Sequence, residues 1–117
     1  MPEQNLREIF GQLEEYVGDA LAVERVRSRL SQKELAEKLG KTEEYIKSLE
    51  DRGNHQPISF EELGTFCQAI DCTLVQVLRV ANFLKENTGR PDVEIYKGIM
   101  DDCQYQLWKM EQERTKE

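Results

Sequence analysis

The residues best able to do chemistry are few, and they form no catalytic or metal-binding pattern. The three cysteines, Cys67, Cys72 and Cys103, lack CxxC spacing, and His55 is the single histidine. Metal binding and nucleophilic catalysis both require several such groups at matched spacing. We therefore expect no enzyme activity, no metal and no cofactor, with Cys67 and Cys72 packed as small apolar side chains and His55 in a loop.

The run Gly40-Lys41-Thr42 ends like a phosphate-binding loop. That motif needs a glycine five residues before Gly40, where this chain has Leu35. The loop would also have to follow a strand, and a helix is expected there. The phosphate-loop interpretation is therefore excluded.

Composition limits the classes of protein that the chain can represent. Its 117 residues suffice for one domain, and 23 acidic against 16 basic residues give a formal charge of −7. A strongly acidic chain is a poor general polyanion binder, so a nucleic-acid site must be a local basic face. No apolar run approaches the roughly 20 residues that span a bilayer, and no secretory signal is evident. With an odd number of cysteines, these features predict a cytoplasmic protein with free thiols and no membrane partner.

The apolar spacing predicts helices and no strands, so the expected fold class is all-α. A first helix is expected over residues 5–17, ended by Gly18, and a second over residues 19–30. The apolar residues at helical spacing in the first helix are Leu6, Ile9, Phe10, Leu13 and Val17.

Capping signals predict the boundaries of the helices that follow. Ser31 and Glu34 form a capping box before a short helix that ends at Gly40, and Thr42 caps the next helix. The remaining predicted features are Ser59 and Thr73 as further N-caps, residues 87–91 as a linker and a last helix over residues 92–113.

The two short helices around Gly40 meet the steric requirements of a helix-turn-helix. A small residue is needed where the helices cross, and Ala36 stands there. Gly40 tolerates a positive φ in the turn. The apolar residues expected to close the core around them are Leu35, Leu39, Ile46 and Leu49.

This run, LSQKELAEKLGKTEEYIKSLEDRG at residues 30–53, resembles the helix-turn-helix of the lambda-repressor-like, Xre-type DNA-binding family. The resemblance continues through ISFEELGTFCQAIDCTLVQVL at residues 58–78, which is similar to the fourth and fifth helices of that family. It implies a five-helix helix-turn-helix domain with extra N-terminal and C-terminal helices. The expected units are residues 1–18 (an amphipathic helix), 19–86 (the DNA-binding domain) and 87–117 (a linker and a C-terminal helix).

The resemblance also implies a function and residue roles. It implies a sequence-specific transcriptional regulator of repressor type that inserts the helix after Thr42 into the major groove of double-stranded DNA. The positions that match base readers are Glu43, Glu44, Lys47 and Ser48. The expected phosphate contacts are Gln32, Lys33, Lys41, Thr42, Tyr45, Arg52, Arg25 and Arg29.

The local charge favours DNA binding at this segment but only slightly. Residues 22–56 have a net charge of +1, whereas residues 1–21 and 57–117 each have a net charge of −4. Glu43 and Glu44 place two carboxylates at the reading position, which leaves an alternative open. The same fold could serve as an acidic adaptor that docks on a partner protein, and an antitoxin-type autoregulator is a further alternative. Arg25, Arg27 and Arg29 are equally well read as an ordinary solvated helix face.

Apolar residues in the last predicted helix recur at alternating spacings of three and four, which is typical of a coiled-coil seam. Such a seam predicts either packing onto the domain or a homodimer that reads a pseudo-palindromic operator. The expected dimerisation residues are Val93, Tyr96, Met100, Leu107 and Met110.

Overall fold

The structure, a computed structural model, consists of helices and contains no strand over the residues that it describes, 3–51 and 57–115. Side chains are described for residues 5–51 and 57–113. The helices in chain order are α1 (Glu3–Arg27), α2 (Gln32–Leu39), α3 (Glu43–Glu50), α4 (Phe60–Ile70), α5 (Leu74–Glu86), α6 (Asp92–Lys97) and α7 (Asp102–Thr115). The predicted all-α fold class is therefore confirmed. In the described ranges, no helix is both long and apolar enough to cross a membrane.

Helix α1 is continuous, which corrects the predicted stop at Gly18. Gly18 is buried in the middle of a 25-residue helix. Val17, Ala20 and Leu21 beside it are at most 2% exposed, and α1 makes its most extensive contacts with α5. Burial of this apolar face outweighs the roughly 1 kcal/mol that glycine costs in a helix interior. The expected boundary between residues 1–18 and 19–86 lies inside this helix.

The two short helices around Gly40 form as the capping signals predict. Ser31 and Glu34 make the reciprocal bonds of a capping box at the start of α2. Gly40 ends α2 in the left-handed conformation, with φ of 67°. Thr42 caps α3 by accepting a hydrogen bond from the N–H of Tyr45 at 3.1 Å. These local bonds satisfy N–H groups that a helix start leaves unpaired and fix the turn between α2 and α3.

The predicted caps of α4 and α5 are also present. Ser59 forms a capping box with Glu62, and Thr73 forms one with Gln76. Asp71 ends α4 in the left-handed conformation, with φ of 63°. Phe60, Leu63, Phe66, Cys67 and Ile70 are buried on the inner face of α4, as their spacing predicts.

The predicted single helix over residues 92–113 is wrong: the chain forms α6 and α7 with a break at residues 98–101. Asp101 starts a capping box, in which its carboxylate accepts from the Gln104 N–H at 2.8 Å and its own N–H donates to the Gln104 side chain at 3.1 Å. The ring of Tyr96 stacks on Trp108 with centroids 3.9 Å apart. The break lets α7 fold back on α1, where both rings are buried.

Candidate nucleic-acid interface

Helix α3 is fixed on one side and open on the other. Ile46 and Leu49 are each 1% exposed and anchor the inner face in the core. The exposed side begins at Thr42 and continues through Glu44, with Glu43 and Lys47 about one-third exposed. The first turn of α3 therefore presents polar side chains outward from a rigid support.

The predicted base readers do not all have free side chains. Lys47 Nζ lies 4.0 Å from Glu43 Oε2, one helical turn away. The Ser48 hydroxyl donates to the Tyr45 carbonyl at 2.7 Å. Both contacts are local and partly solvated, so their free-energy cost of rearrangement is small. Glu44 is the most exposed of the four positions.

Tyr45, predicted to contact a phosphate, is hydrogen-bonded within the protein and braces α3 against α4. Its hydroxyl donates to Glu62 Oε2 at 2.9 Å, and its ring lies 6.5 Å from that of Phe66. Desolvation, followed by the bond to Glu62, raises the pKa of Tyr45 to about 12. The phenol thus stays protonated near neutral pH and holds the first turn of α3 in place. Lys41 lies over the same ring, with Nζ 5.4 Å from the centroid.

Arg25 is an internal ion-pair partner and is not available to a phosphate, which corrects its predicted role as a phosphate contact. Its side chain is 1% exposed, its Nε lies 2.7 Å from Glu50 Oε2, and its Nη1 lies 3.0 Å from Glu111 Oε2. A further bond runs from Nη1 to the Leu30 carbonyl at 2.7 Å. Burial alone would lower the pKa of Arg25, but the two carboxylates outweigh it and raise the pKa.

Gln32 is likewise directed inward. It is 6% exposed, and its Nε2 donates to Glu50 Oε1 at 3.0 Å. Gln32 braces α3 through this bond, and its buried amide is not available for the predicted phosphate contact. Glu50 thus joins α1, α2 and α3.

Three of the remaining cations predicted to contact phosphates have exposed side chains. Lys33 and Lys41 are exposed, and Arg29 is exposed in the left-handed conformation with φ of 62°. Arg27, also exposed, is paired with Glu24 at 2.8 Å. Arg52 and His55 lie outside the described residues.

Acidic residues outnumber lysines in the segment that contains α2 and α3. Residues 31–51 contain four lysines and six acidic residues, of which Glu50 is buried. Glu62 of α4 adds a further carboxylate beside Tyr45. The hydrogen bond from the Ser59 N–H is the largest cause that lowers the pKa of Glu62, and the hydrogen bond from the Tyr45 hydroxyl is the next. This carboxylate is therefore charged near neutral pH. Among the described residues, this segment is therefore mixed in sign.

Sequence reasoning missed the roles of Glu50 and Glu111 and the contact of Glu62 with Tyr45. A signal existed for Glu50, because it follows Ile46 by four residues and therefore shares the buried face of α3. Arg25 follows Leu21 by four residues in α1 in the same way. Two opposite charges on two apolar faces are a reason to expect an internal ion pair. No local spacing points to Glu111.

The cysteines fit packing roles. Cys67 is buried and Cys72 is half-buried. The hydrogen bond between the two thiols is the largest cause of the raised pKa of Cys67 and of the lowered pKa of Cys72. Cys103 is exposed. Within the described part of the chain, no group of three or more potential metal ligands occurs.

Comparison of the chain with protein-family models, curated proteins and solved structures gave no match.

Proposed function

We propose that this protein is a sequence-specific DNA-binding regulator of the helix-turn-helix type, with α3 entering the major groove. The observation that carries the proposal is the two-sided character of α3. Its inner face is fixed by Ile46, Leu49 and Glu50, while Thr42 and Glu44 at its start are exposed. A short helix held at its inner face and open at its N-terminal turn suits the docking of a recognition helix.

Base recognition falls to a small set of side chains in this proposal. Glu44 can accept a hydrogen bond from cytosine N4, and Lys47 can donate to guanine once it leaves Glu43. Lys33 and Lys41 contact phosphates, and the amides at the start of α3 face the DNA backbone. Because few cations are available, we expect a shallow salt dependence, with about 0.9 log unit lost per log unit of salt for each phosphate contacted.

Selection of bound sites from a random duplex library, followed by titration at low salt, tests the proposal. We expect an enriched sequence that binds more tightly than random duplex. Lys47→Ala should weaken binding to that sequence by about 1–3 kcal/mol and relax preference at one position. Lys109→Ala, an exposed lysine of α7, is the matched control and should change affinity little. A library without enrichment would refute the proposal.

A second candidate function rests on a specific observation: Glu43, Glu44 and Glu62 gather three carboxylates near the start of α3. This arrangement favours an acidic adaptor that docks on a basic protein surface. Glu44→Gln separates the two candidates. In a DNA-binding protein it should strengthen binding to random duplex and shift the preferred base from cytosine to adenine, whereas in an adaptor it should weaken capture of the partner.

The homodimer stays a prediction, and the surface that could carry it is smaller than the seam predicted from sequence. Tyr96 and Met100 are 2% and 5% exposed, so they are core residues and not dimerisation residues. Val93, Leu107 and Met110 are 44%, 52% and 57% exposed. Sedimentation velocity of the full chain measures the state directly, and a dimer would place half-site centres about 34 Å apart.

A further inference from the structure

A groove between α1 and α5 combines an apolar floor with a cationic rim. It has a volume of about 430 Å³ and lies between the N-terminal half of α1 and the exposed side of α5. Leu13 and Leu78, both buried, form its floor, and Leu6 and Ile9 form one wall. Grooves of about 300–1,000 Å³ between packed helices are typical small-molecule sites.

The polar lining of this groove is cationic. Arg79 and Lys85, six residues apart on α5, line it together with the amides of Gln12 and Asn82. None of the described lining residues is acidic, although the chain contains 23 acidic residues against 16 basic ones. Within the described residues, the Arg79 and Lys85 side chains make no hydrogen bond or ion pair. Asn82 already donates to Glu86, which lies outside the lining.

A second groove shows that this character is local. It has a volume of about 550 Å³ and is lined by Arg29 with Glu34, Asp101 and Glu111, between α7 and the α1–α2 turn. Its charged residues are mostly acidic, so an anion would avoid it. Of these two grooves, only the α1–α5 groove is therefore complementary in charge to an anionic ligand.

We propose that the α1–α5 groove binds a small amphipathic carboxylate. Its apolar tail lies on Leu13 and Leu78, and its carboxylate is bound by Arg79 or Lys85 at the rim. The planar guanidinium of Arg79 can donate two parallel hydrogen bonds to a carboxylate, which supplies geometric as well as charge recognition. A standard protein interface needs about 800 Å² on each partner, more than a groove of this size offers. The proposal does not depend on DNA binding.

Titration of the full chain with decanoate below its micelle-forming concentration, with decanol as the neutral counterpart, tests the proposal. We expect saturable decanoate binding, with amide shift changes confined to α1 and α5, and weaker binding of decanol. The double variant Arg79→Gln/Lys85→Gln should raise the Kd for decanoate about tenfold or more and leave that for decanol nearly unchanged. Both side chains are exposed, so the variant should fold normally.

The matched control is Arg90→Gln/Lys97→Gln, which removes the same charge from exposed residues outside the groove. It should leave the Kd for decanoate within about twofold of the original value, since it changes only the long-range electrostatic field of the protein. Ile9→Glu is a second test, because a carboxylate in the apolar wall should prevent decanoate binding. The helix content of this variant, measured by circular dichroism, should be unchanged.

Four results would overturn the proposal. They are equal affinity for decanoate and decanol, an unchanged Kd in the double variant, shift changes in the α7 groove, and the absence of saturable binding. Sedimentation velocity adds a fifth. A dimer that the double variant converts to a monomer would show that a second copy of the chain occupies the groove.

Discussion

Arg25 and Glu50 form a doubly hydrogen-bonded ion pair that joins α1 to the end of α3. Nε lies 2.7 Å from Oε2, and Nη2 lies 2.8 Å from Oε1. The side chains are 1% and 2% exposed, and Gln32 and Glu111 add further hydrogen bonds to the pair. No buried side-chain nitrogen or oxygen of the described residues lacks a partner. The orientation of the candidate reading helix therefore depends on this network as well as on apolar packing.

Removing Arg25 should strongly destabilise the fold. Arg25→Met leaves Glu50 and Glu111 without their cation, and loss of one partner of a buried pair costs about 3–5 kcal/mol. Urea unfolding followed by circular dichroism measures the change. Arg90→Gln is the control, because its pair with Glu94 is exposed and should contribute under about 1 kcal/mol. Equal unfolding midpoints for the two variants would contradict a structural role for the network.

Two glycines should respond oppositely to alanine. Gly40 has φ of 67°, so Gly40→Ala should destabilise the protein by about 1–2 kcal/mol through backbone strain alone. Gly64 lies inside α4 with open space where an alanine Cβ would lie, so Gly64→Ala should stabilise by about 0.5–1 kcal/mol. Thermal unfolding of both variants measures the contrast. If Gly40→Ala proved neutral, the left-handed turn between α2 and α3 would be wrong.

The break between α6 and α7 should depend on Asp101. Asp101→Ala removes the carboxylate that accepts from the Gln104 N–H, and loss of such a cap costs about 1 kcal/mol. Asp102→Ala is the neighbouring control, since its side chain is 90% exposed and lies 3.6 Å from Lys97. It should change stability by less than about 0.5 kcal/mol. Hydrogen exchange at the start of α7 should increase only in the first variant, and a continuous helix would give no such difference.

Alkaline pH should weaken the bracing of α3 through Tyr45. Its pKa is raised to about 12 in the folded protein, against about 10 for an ordinary tyrosine. The unfolded chain therefore loses this proton first, so the contribution to stability is complete below about pH 10 and is lost as pH rises towards about 12.

Ultraviolet titration of the wild type and of Tyr45→Phe isolates this group. The difference between the two curves should show one phenol that ionises near pH 12. Tyr16→Phe is the comparison, because the Tyr16 hydroxyl contacts Thr88 and lies far in sequence from α3. A difference curve for Tyr45 centred near pH 10 would contradict the bond to Glu62.

The caps and turns that depend on residues close in sequence could be predicted from the sequence. Ser31, Thr42, Ser59 and Thr73 cap the helices that their positions predict, and Gly40 forms the predicted left-handed turn. Each of these features depends on residues at most four positions apart, so the local order of side chains determines it. The outward face of α3 followed for the same reason, from the spacing of Ile46 and Leu49.

The candidate site could be predicted only in part. The resemblance assigned Arg25, Gln32 and Tyr45 to phosphate contacts, whereas the side chain of each is hydrogen-bonded to a carboxylate of the protein itself. For Gln32 and Tyr45, the local spacing is compatible with a side chain that faces either solvent or another helix. Only the packing of α2, α3 and α4 decides between these two orientations.

The sequence by itself determined the helices with local start and stop signals, the turn at Gly40 between α2 and α3, and the apolar faces. The tertiary structure decided that Gly18 stays helical, that α7 folds back on α1 and that Glu111 reaches Arg25. The physical reason is the range of the interactions. Caps and turns gain their free energy from adjacent residues, whereas the Arg25–Glu111 contact joins residues 86 positions apart. Such contacts form only when separate helices bury a common surface.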